Sequence, residues 1–346
     1  MNTFLPYDMG PIRPPSEADS LLIRLTRNCP WNKCAFCPVY KGLRFQKKPL
    51  EEIKNDILQA TAFYGNRTPH LRTAFLQDAD SLLLKTEELV EILSFLRQQF
   101  PNLERITSYG RGRTLARKSV EEWQTIKEAG LSRVHLGLET GYDPLLTFMK
   151  KGATAQEMIT GGRNVVESGL SLSVYVILGL GGKAMWEEHA RETAWVINQV
   201  DPEFIRLRTL CPREGTPLRE TLEKGEFVPL SDEEIVREER LFIESLEGIS
   251  SRLVSDHVTN LLEEMEGKLP EEKGEMLAVL DRFLVLPPFE RTVFIVGRRG
   301  LAYHRLDELQ ERPDQHARIE RAIQQIDEEQ PGGLEQVMRE WMERMI

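Results

Sequence analysis

No apolar run in this chain approaches the ~20 residues that span a bilayer. Its first nineteen residues, Met1 to Asp19, are rich in proline and polar side chains and lack the apolar stretch of a signal peptide. A cytoplasmic protein with no membrane partner is expected. Positive charge is in deficit: 45 Lys and Arg stand against 55 Asp and Glu, a net charge of −10. That balance disfavours broad, unspecific nucleic-acid binding but leaves room for a local basic pocket. Cysteine is scarce, four in 346 residues, and three of the four are bunched, unlike the spread pairs of a small secreted disulfide framework. Nothing is collagenous, low-complexity or broadly disordered. What is present, 40% hydrophobic residues over 346 positions, suffices for a large core, in one big domain with a smaller one or a barrel with an appendage.

From about residue 20 to 210, short apolar runs alternate with amphipathic ones. The spacing predicts strands at Leu21–Thr26, Leu71–Gln77, Glu104–Tyr109, Arg133–Glu139, Ser171–Leu178 and Glu203–Leu210. Helices are predicted between them at Pro49–Tyr64, Thr86–Phe100, Ser119–Ala129, Thr154–Ser168 and Met185–Val200. Gly130 and Gly169 sit just past helix ends, where a left-handed residue is wanted. Serial strand–helix–strand units imply an α/β fold with parallel strands and helices outside, either an open doubly wound sheet or an incomplete barrel. After Pro217 the pattern changes, and residues 230–346 read as charged helices, with Thr292–Val296 a short β-prone exception. Asp232-Glu233-Glu234 reads as a helix N-terminus favoured by the dipole.

Directly after the first strand runs Arg27-Asn28-Cys29-Pro30-Trp31-Asn32-Lys33-Cys34-Ala35-Phe36-Cys37-Pro38. Structural zinc usually takes four ligands, whereas here there are three thiols and no nearby histidine. Iron–sulfur clusters are held by thiolates, and three thiolates on a four-iron cluster leave one iron open for a substrate or cofactor. A zinc knob and plain buried thiols are the alternatives.

This loop resembles the cluster loop of the radical S-adenosylmethionine (SAM) superfamily, which places three cysteines after the first strand of a partial (β/α) barrel with an aromatic residue, here Phe36, before the last. The family spaces them by three residues and then two; this chain has four and then two. The resemblance implies a [4Fe-4S] cluster on Cys29, Cys34 and Cys37, and SAM as cofactor. It implies SAM contacts at the strand ends. Gln77 and Asp78 stand where the family often has a glycine-rich stretch near the methionine amino group. Glu139 in His135-Leu136-Gly137-Leu138-Glu139-Thr140-Gly141 occupies a cofactor-contacting place, with Lys151 as the basic residue that meets the carboxylate of SAM. Tyr175 and Gly179, in Tyr175-Val176-Ile177-Leu178-Gly179-Leu180-Gly181, resemble a motif near adenine and ribose. The branch is similar to oxygen-independent coproporphyrinogen oxidase and Elongator-type tRNA-modifying enzymes. The resemblance covers about residues 18–220, and the expected organisation is an N-terminal extension (1–19), a partial (β/α)6 barrel (20–225) and a helical C-terminal region (226–346).

The alternation of the strands agrees with a polar lumen. His135, Gly137 and Glu139 alternate with Val134, Leu136 and Leu138, and Arg206 and Arg208 alternate with Ile205 and Leu207. A purely structural barrel would fill that space with branched apolar layers. Arg206 and Arg208, two apart on one face, are expected to hold an anionic substrate group, such as carboxylate or phosphate, or to pair internally with Glu139 or Asp78. His135 would face the lumen as an acid, a base or a structural group. His189 is expected at the surface of its helix, and His257, Asn260 and Glu264 at helical spacing share a face. Cys211 reads as a small core residue or a substrate-facing thiol. The Gly179, Gly181 and Gly182 turn alone is weak evidence for a nucleotide.

The resemblance implies an enzyme: the reduced cluster donates an electron to SAM, which breaks to methionine and a 5′-deoxyadenosyl radical that abstracts a substrate hydrogen. An electron donor such as flavodoxin or ferredoxin is the implied partner. Two other classes compete, a non-catalytic carrier or chaperone for haem or a cluster on the same scaffold, and a zinc-stabilised interaction module. With one cysteine outside the loop, a second local cluster is excluded. No separate cobalamin-binding domain is expected. The substrate stays unidentified.

Overall fold

The computed structural model describes residues 6–344. The strands are β1 (Leu21–Arg24), β2 (Thr73–Gln77), β3 (Arg105–Gly110), β4 (Arg133–Glu139), β5 (Ser171–Leu178) and β6 (Phe204–Thr209), each followed by helix as the spacing predicts. Two further strands, β7 (Arg252–Val254) and β8 (Gly267–Lys268), come from the region expected to be helical. The fold is α/β, a mostly parallel sheet with helices, of the partial (β/α) barrel type with a helical C-terminal region. The chain divides into two compact units, one of residues up to 175 together with 199–203, the other of 176–198 and 204 onward.

In the first unit β1, β2, β3 and β4 pair in parallel in that order, with Leu21 opposite Ala74, Ala74 opposite Ile106 and Thr107 opposite Arg133. Ile23, Leu76, Ile106, Val134 and Leu136 are fully buried, the outward row that meets the helices. Those helices start where side chains satisfy the open N–H groups. Ser119 and Glu122 form a capping box for Val120–Ala129, and Thr154 with Glu157 does the same for Ala155–Glu167.

In the second unit β6 pairs in parallel with β7, which pairs antiparallel with β8. Ser231 and Glu234 cap helix Asp232–Ser245, so the Asp232-Glu233-Glu234 run sits in its first turn.

Three expectations fail here. Thr292–Val296 lies inside helix Pro288–Arg299, which has proline at its first turn and buries Val293, Phe294 and Val296; tertiary packing overrides the β preference of its branched residues. His257, Asn260 and Glu264 share no helix, because residues 255–266 are irregular. Asn260 instead donates to the Leu207 carbonyl at 3.0 Å and bonds the Thr209 hydroxyl at 3.1 Å, tying this segment to β6. His189 is buried rather than exposed, its Nε2 3.0 Å from the Ile177 carbonyl oxygen; burial pushes its pKa down to about 4.

Candidate cluster and cofactor site

The cysteine loop is closed at its base by a two-residue ribbon in which Thr26 pairs with Lys47 and Arg27 with Gln46. Within it Asn28 and Asn32 take positive φ angles of 68° and 50°, a conformation asparagine tolerates better than most residues. The Asn28 side chain donates to the Arg44 carbonyl at 2.7 Å, and that of Asn32 to the Leu43 carbonyl at 3.1 Å. The backbone N–H of Asn32 points at Cys29 Sγ, 3.4 Å away, and Lys41 Nζ donates to the Cys34 carbonyl at 2.8 Å. Backbone turns thus fix the loop and leave its three thiols unbridged and half-buried.

The floor of the loop is Asp78. It is 1% exposed; its Oδ2 accepts from Arg24 Nη2 at 2.7 Å, from Arg24 Nε at 3.2 Å and from the Asn28 N–H at 2.9 Å. Its Oδ1 accepts from the buried Tyr40 hydroxyl. Gln77 beside it accepts from the Gly10 N–H at 2.9 Å and donates to the Ile12 carbonyl at 2.8 Å. Both side chains named as SAM contacts therefore direct these hydrogen bonds to the protein, one to the loop and one to the strap of residues 10–12.

The loop also docks on the chain that follows β4. The Ala35 N–H donates to the Met149 carbonyl at 2.8 Å and Trp31 Nε1 to the Lys150 carbonyl at 2.6 Å. Gly152 has φ +68°, and a Cβ there would fall 2.3 Å from the Trp31 ring, so both backbone and space demand glycine. This contact carries Lys151 to the thiols. Lys151 Nζ is 2.7 Å from Glu139 Oε1 and 5.9 Å from the Phe36 ring centroid. Glu139 itself has φ +66°, and a Cβ on Gly137 would lie 2.5 Å from Glu139 Oε1; the missing side chain makes room for the ion pair. Burial alone would lower the Lys151 ammonium, but Glu139 and Cys34 outweigh it and hold its pKa above the ordinary value. Burial pushes the Cys34 thiol up, with Lys151 the first of the groups pulling the other way.

Deeper in the lumen lies an aromatic layer. Tyr109 packs edge-on against Phe75 at 5.0 Å, and the Tyr175 hydroxyl is 3.5 Å from His135 Nδ1. His135 Nε2 is 3.5 Å from Glu17, fully buried below it. Tyr175 is thus a lumen residue. Gly179, in the second unit, has φ +79° and gives its N–H to the buried carboxyl of Glu238.

Arg206 and Arg208 share one face of β6, as the alternation predicts, and both bind Asp256, Arg208 Nη1 at 2.8 Å from Oδ1 and Arg206 Nη1 against Oδ2. Asp256 was not foreseen: it comes 48 residues later in the chain, with no spacing signal. Arg24 likewise pairs with Asp8, 3.0 Å away, and with Asp78. Cys211 is a free thiol whose pKa burial raises.

The profile of the radical SAM superfamily matches residues 23–194, from β1 through the helix after β5. The chain belongs to the radical SAM superfamily. Among curated relatives it is 24% identical over 248 residues to a tRNA uridine(34) acetyltransferase of Methanocaldococcus jannaschii, covering 60% of this chain and 45% of that one. It is 23% identical over 196 residues to the heme chaperone HemW of Bacillus subtilis, covering 56% and 51%. The chain spans about half the length of these relatives. The solved structure of methylornithine synthase is 20% identical, with a TM-score of 0.46 over 66% of this chain and 63% of that one.

The donor set of this chain fits the superfamily's cluster: three unbridged thiols on one loop, with the Lys151 cation acting on Cys34. No described helix is long and apolar enough to cross a membrane.

Proposed function

We propose that Cys29, Cys34 and Cys37 hold a [4Fe-4S] cluster, that Glu139 and Lys151 bind SAM beside it, and that the enzyme acts on a substrate with an anionic group. The observation that carries this reading is the Glu139–Lys151 ion pair at 2.7 Å, held against the cysteine loop by Trp31 and Gly152. When bound, cluster and SAM supply one-electron cleavage to methionine and a 5′-deoxyadenosyl radical. The chain's own residues bind and orient. Lys151 offers an ammonium to a carboxylate, and Glu139 an acceptor to an ammonium, matching the two charged ends of an amino acid. Phe36 covers the loop side of the ammonium. On the strength of the motif, Tyr175 is proposed to contact the cofactor, and so is Gly179 of the second unit. Gln77 and Asp78 serve it by positioning, since Asp78 fixes Asn28 and Tyr40 at the loop's two ends.

Arg206 and Arg208 are proposed to hold the substrate's carboxylate or phosphate. Both already grip one carboxylate, Asp256, a geometry that a substrate anion would share. The electron donor is proposed to be a flavodoxin or ferredoxin, in keeping with a cytoplasmic setting.

The test is anaerobic reconstitution followed by reduction and product analysis. About four irons per chain and release of 5′-deoxyadenosine are expected. A loaded, reducible protein that never cleaves SAM would favour the carrier reading instead, in line with its likeness to a haem chaperone. Arg206→Gln and Arg208→Gln should spare uncoupled cleavage but reduce substrate turnover; equal loss of both activities would move these residues to the cofactor.

A further inference from the structure

Three stretches of this acidic chain contain no Asp or Glu. Residues 28–48 carry five Lys and Arg, residues 111–119 carry four, and residues 144–153 carry Lys150 and Lys151. The fold brings all three to one place in the first unit. Trp31 is the hub. Its indole donates to the Lys150 carbonyl and packs on Gly152, Lys33 Nζ lies 5.0 Å from its ring centroid, and the Arg111 guanidinium lies 5.3 Å away. Arg111 also donates to the carbonyls of Lys151 and Gly152 at 3.2 Å. Around this hub is a shallow concavity of about 430 Å³ lined by Trp31, Lys33, Arg113, Lys150 and Glu157 among others. Lys33, Arg113 and Lys150 are exposed. The single carboxylate there, Glu157, is paired with Arg113 at 3.2 Å.

Such a face on a chain of net charge −10 is a local departure. Surface fields are screened within about 8 Å at physiological ionic strength, so a partner seated here meets these cations rather than the acidic remainder. The face adjoins the cysteine loop, since Trp31 and Lys33 lie between Cys29 and Cys34. A partner docked on it stands next to the loop that carries the thiols.

We infer that this basic, tryptophan-centred face is the docking surface for an acidic electron-transfer protein carrying a low-potential flavin or iron–sulfur centre. The inference rests on the cluster proposed above. In the docked complex the reduced donor loses one electron and the cluster gains it; no bond or proton changes hands at the face. Lys33, Lys150 and Arg113 supply the charge complementarity that sets encounter rate and orientation, and Trp31 supplies the contact at the centre. A polyanionic RNA would also meet positive charge here. The position of the patch on the loop that carries the three thiols favours the electron donor.

The experiment uses the full chain with its cluster and a reduced bacterial flavodoxin as probe, following the loss of the cluster absorption band. Photogenerated 5-deazariboflavin radical, which is uncharged, serves as control. The double variant Lys33→Glu/Lys150→Glu should be reduced about tenfold more slowly by flavodoxin at low salt, with a flatter salt dependence, and at an unchanged rate by deazariboflavin. Equal flavodoxin rates in wild type and variant overturn the inference, as does a variant that loses tRNA binding while keeping its flavodoxin rate. Binding of oxidised flavodoxin to the cluster-free chain separates the two readings. Docking that weakens in the variant supports the face even where no iron is incorporated, whereas intact iron with no flavodoxin binding sinks the face alone.

Discussion

Both units pair buried charge, but to different ends. In the second, cations and carboxylates close on one another: Arg206 and Arg208 on Asp256, Arg299 on Asp232, Arg298 on Glu263. These pairs join segments far apart in sequence and brace the fold. In the first unit, Asp78, Asn28, Asn32, Trp31 and Gly152 are spent on holding a loop whose thiols remain unbridged. Asp78 is buried and the others are half-buried, and a unit that ties so many groups to one loop fixes the geometry there. The comparison teaches where to look for chemistry: at a place where the surroundings are over-determined and the central groups are left unsatisfied.

The largest expected effect breaks this contrast outright. Replacing Cys29, Cys34 or Cys37 by Ala should abolish the thiolate-to-iron absorption band and most of the iron after anaerobic reconstitution. Cys211→Ala, in the second unit, should leave both near wild type. Iron retained in the triple variant, or stoichiometric zinc in the native protein, would reject the assignment.

Next in size is the loop's floor. Asp78→Ala leaves Arg24 buried with one of its two carboxylates gone and frees Tyr40 and Asn28. A loss of about 3 kcal/mol is expected, together with poorer cluster uptake. Asp256→Ala, at an exposed carboxylate that pairs with the buried Arg206, should cost about 1–2 kcal/mol with iron uptake intact. Urea titrations paired with iron assays check both. Iron uptake falling equally in the two variants would erase the distinction between a loop-holding and a bracing carboxylate.

A smaller effect concerns the cofactor. Glu139→Ala should weaken SAM binding by about ten- to a hundredfold, the worth of a charge-assisted hydrogen bond, while iron content stays normal. Calorimetric titration measures it, and an unchanged affinity in both Glu139→Ala and Lys151→Ala would remove these residues from the site.

Much of this was legible in the sequence because it rests on local regularities. The six strands and the helices between them follow period and punctuation, and β4 and β5 have their expected bounds. The cysteine loop was readable from its spacing, and the motif singles out Glu139 and Lys151, though not their ion pair with each other. What was hidden depends on contacts between distant segments. Nothing in the sequence pairs Tyr40 with Asp78 or Arg206 with Asp256. His189 was misplaced because its helix buries a polar residue against the Ile177 carbonyl, which a polarity pattern reads as surface. β7 was missed because three residues, Arg252 to Val254, are too short to show a period, and pairing along β6 defines them.

The smallest effect tests whether the second unit's buried acids act as bracing alone. Burial raises Glu238 from 4.5 to about 8, and Glu239 likewise. The folded chain therefore keeps these protons where the unfolded chain has released them, and between pH 4.5 and 8 it binds more protons than the unfolded one. Stability should fall as pH rises through that window. Glu238→Gln removes one contributor, and the amide oxygen still accepts from the Gly179 N–H. The variant should gain on wild type by about 1–2 kcal/mol between pH 6.5 and 8. His189, pushed down to about 4, acts in the opposite direction but only below about 6.5, so the upper range isolates the carboxyl. Urea midpoints at pH 6.5, 7.2 and 8 read the difference. A gap between variant and wild type that stays constant over that range would mean that Glu238 is ionised in the folded chain, and that its bond to the Gly179 turn is a charged one.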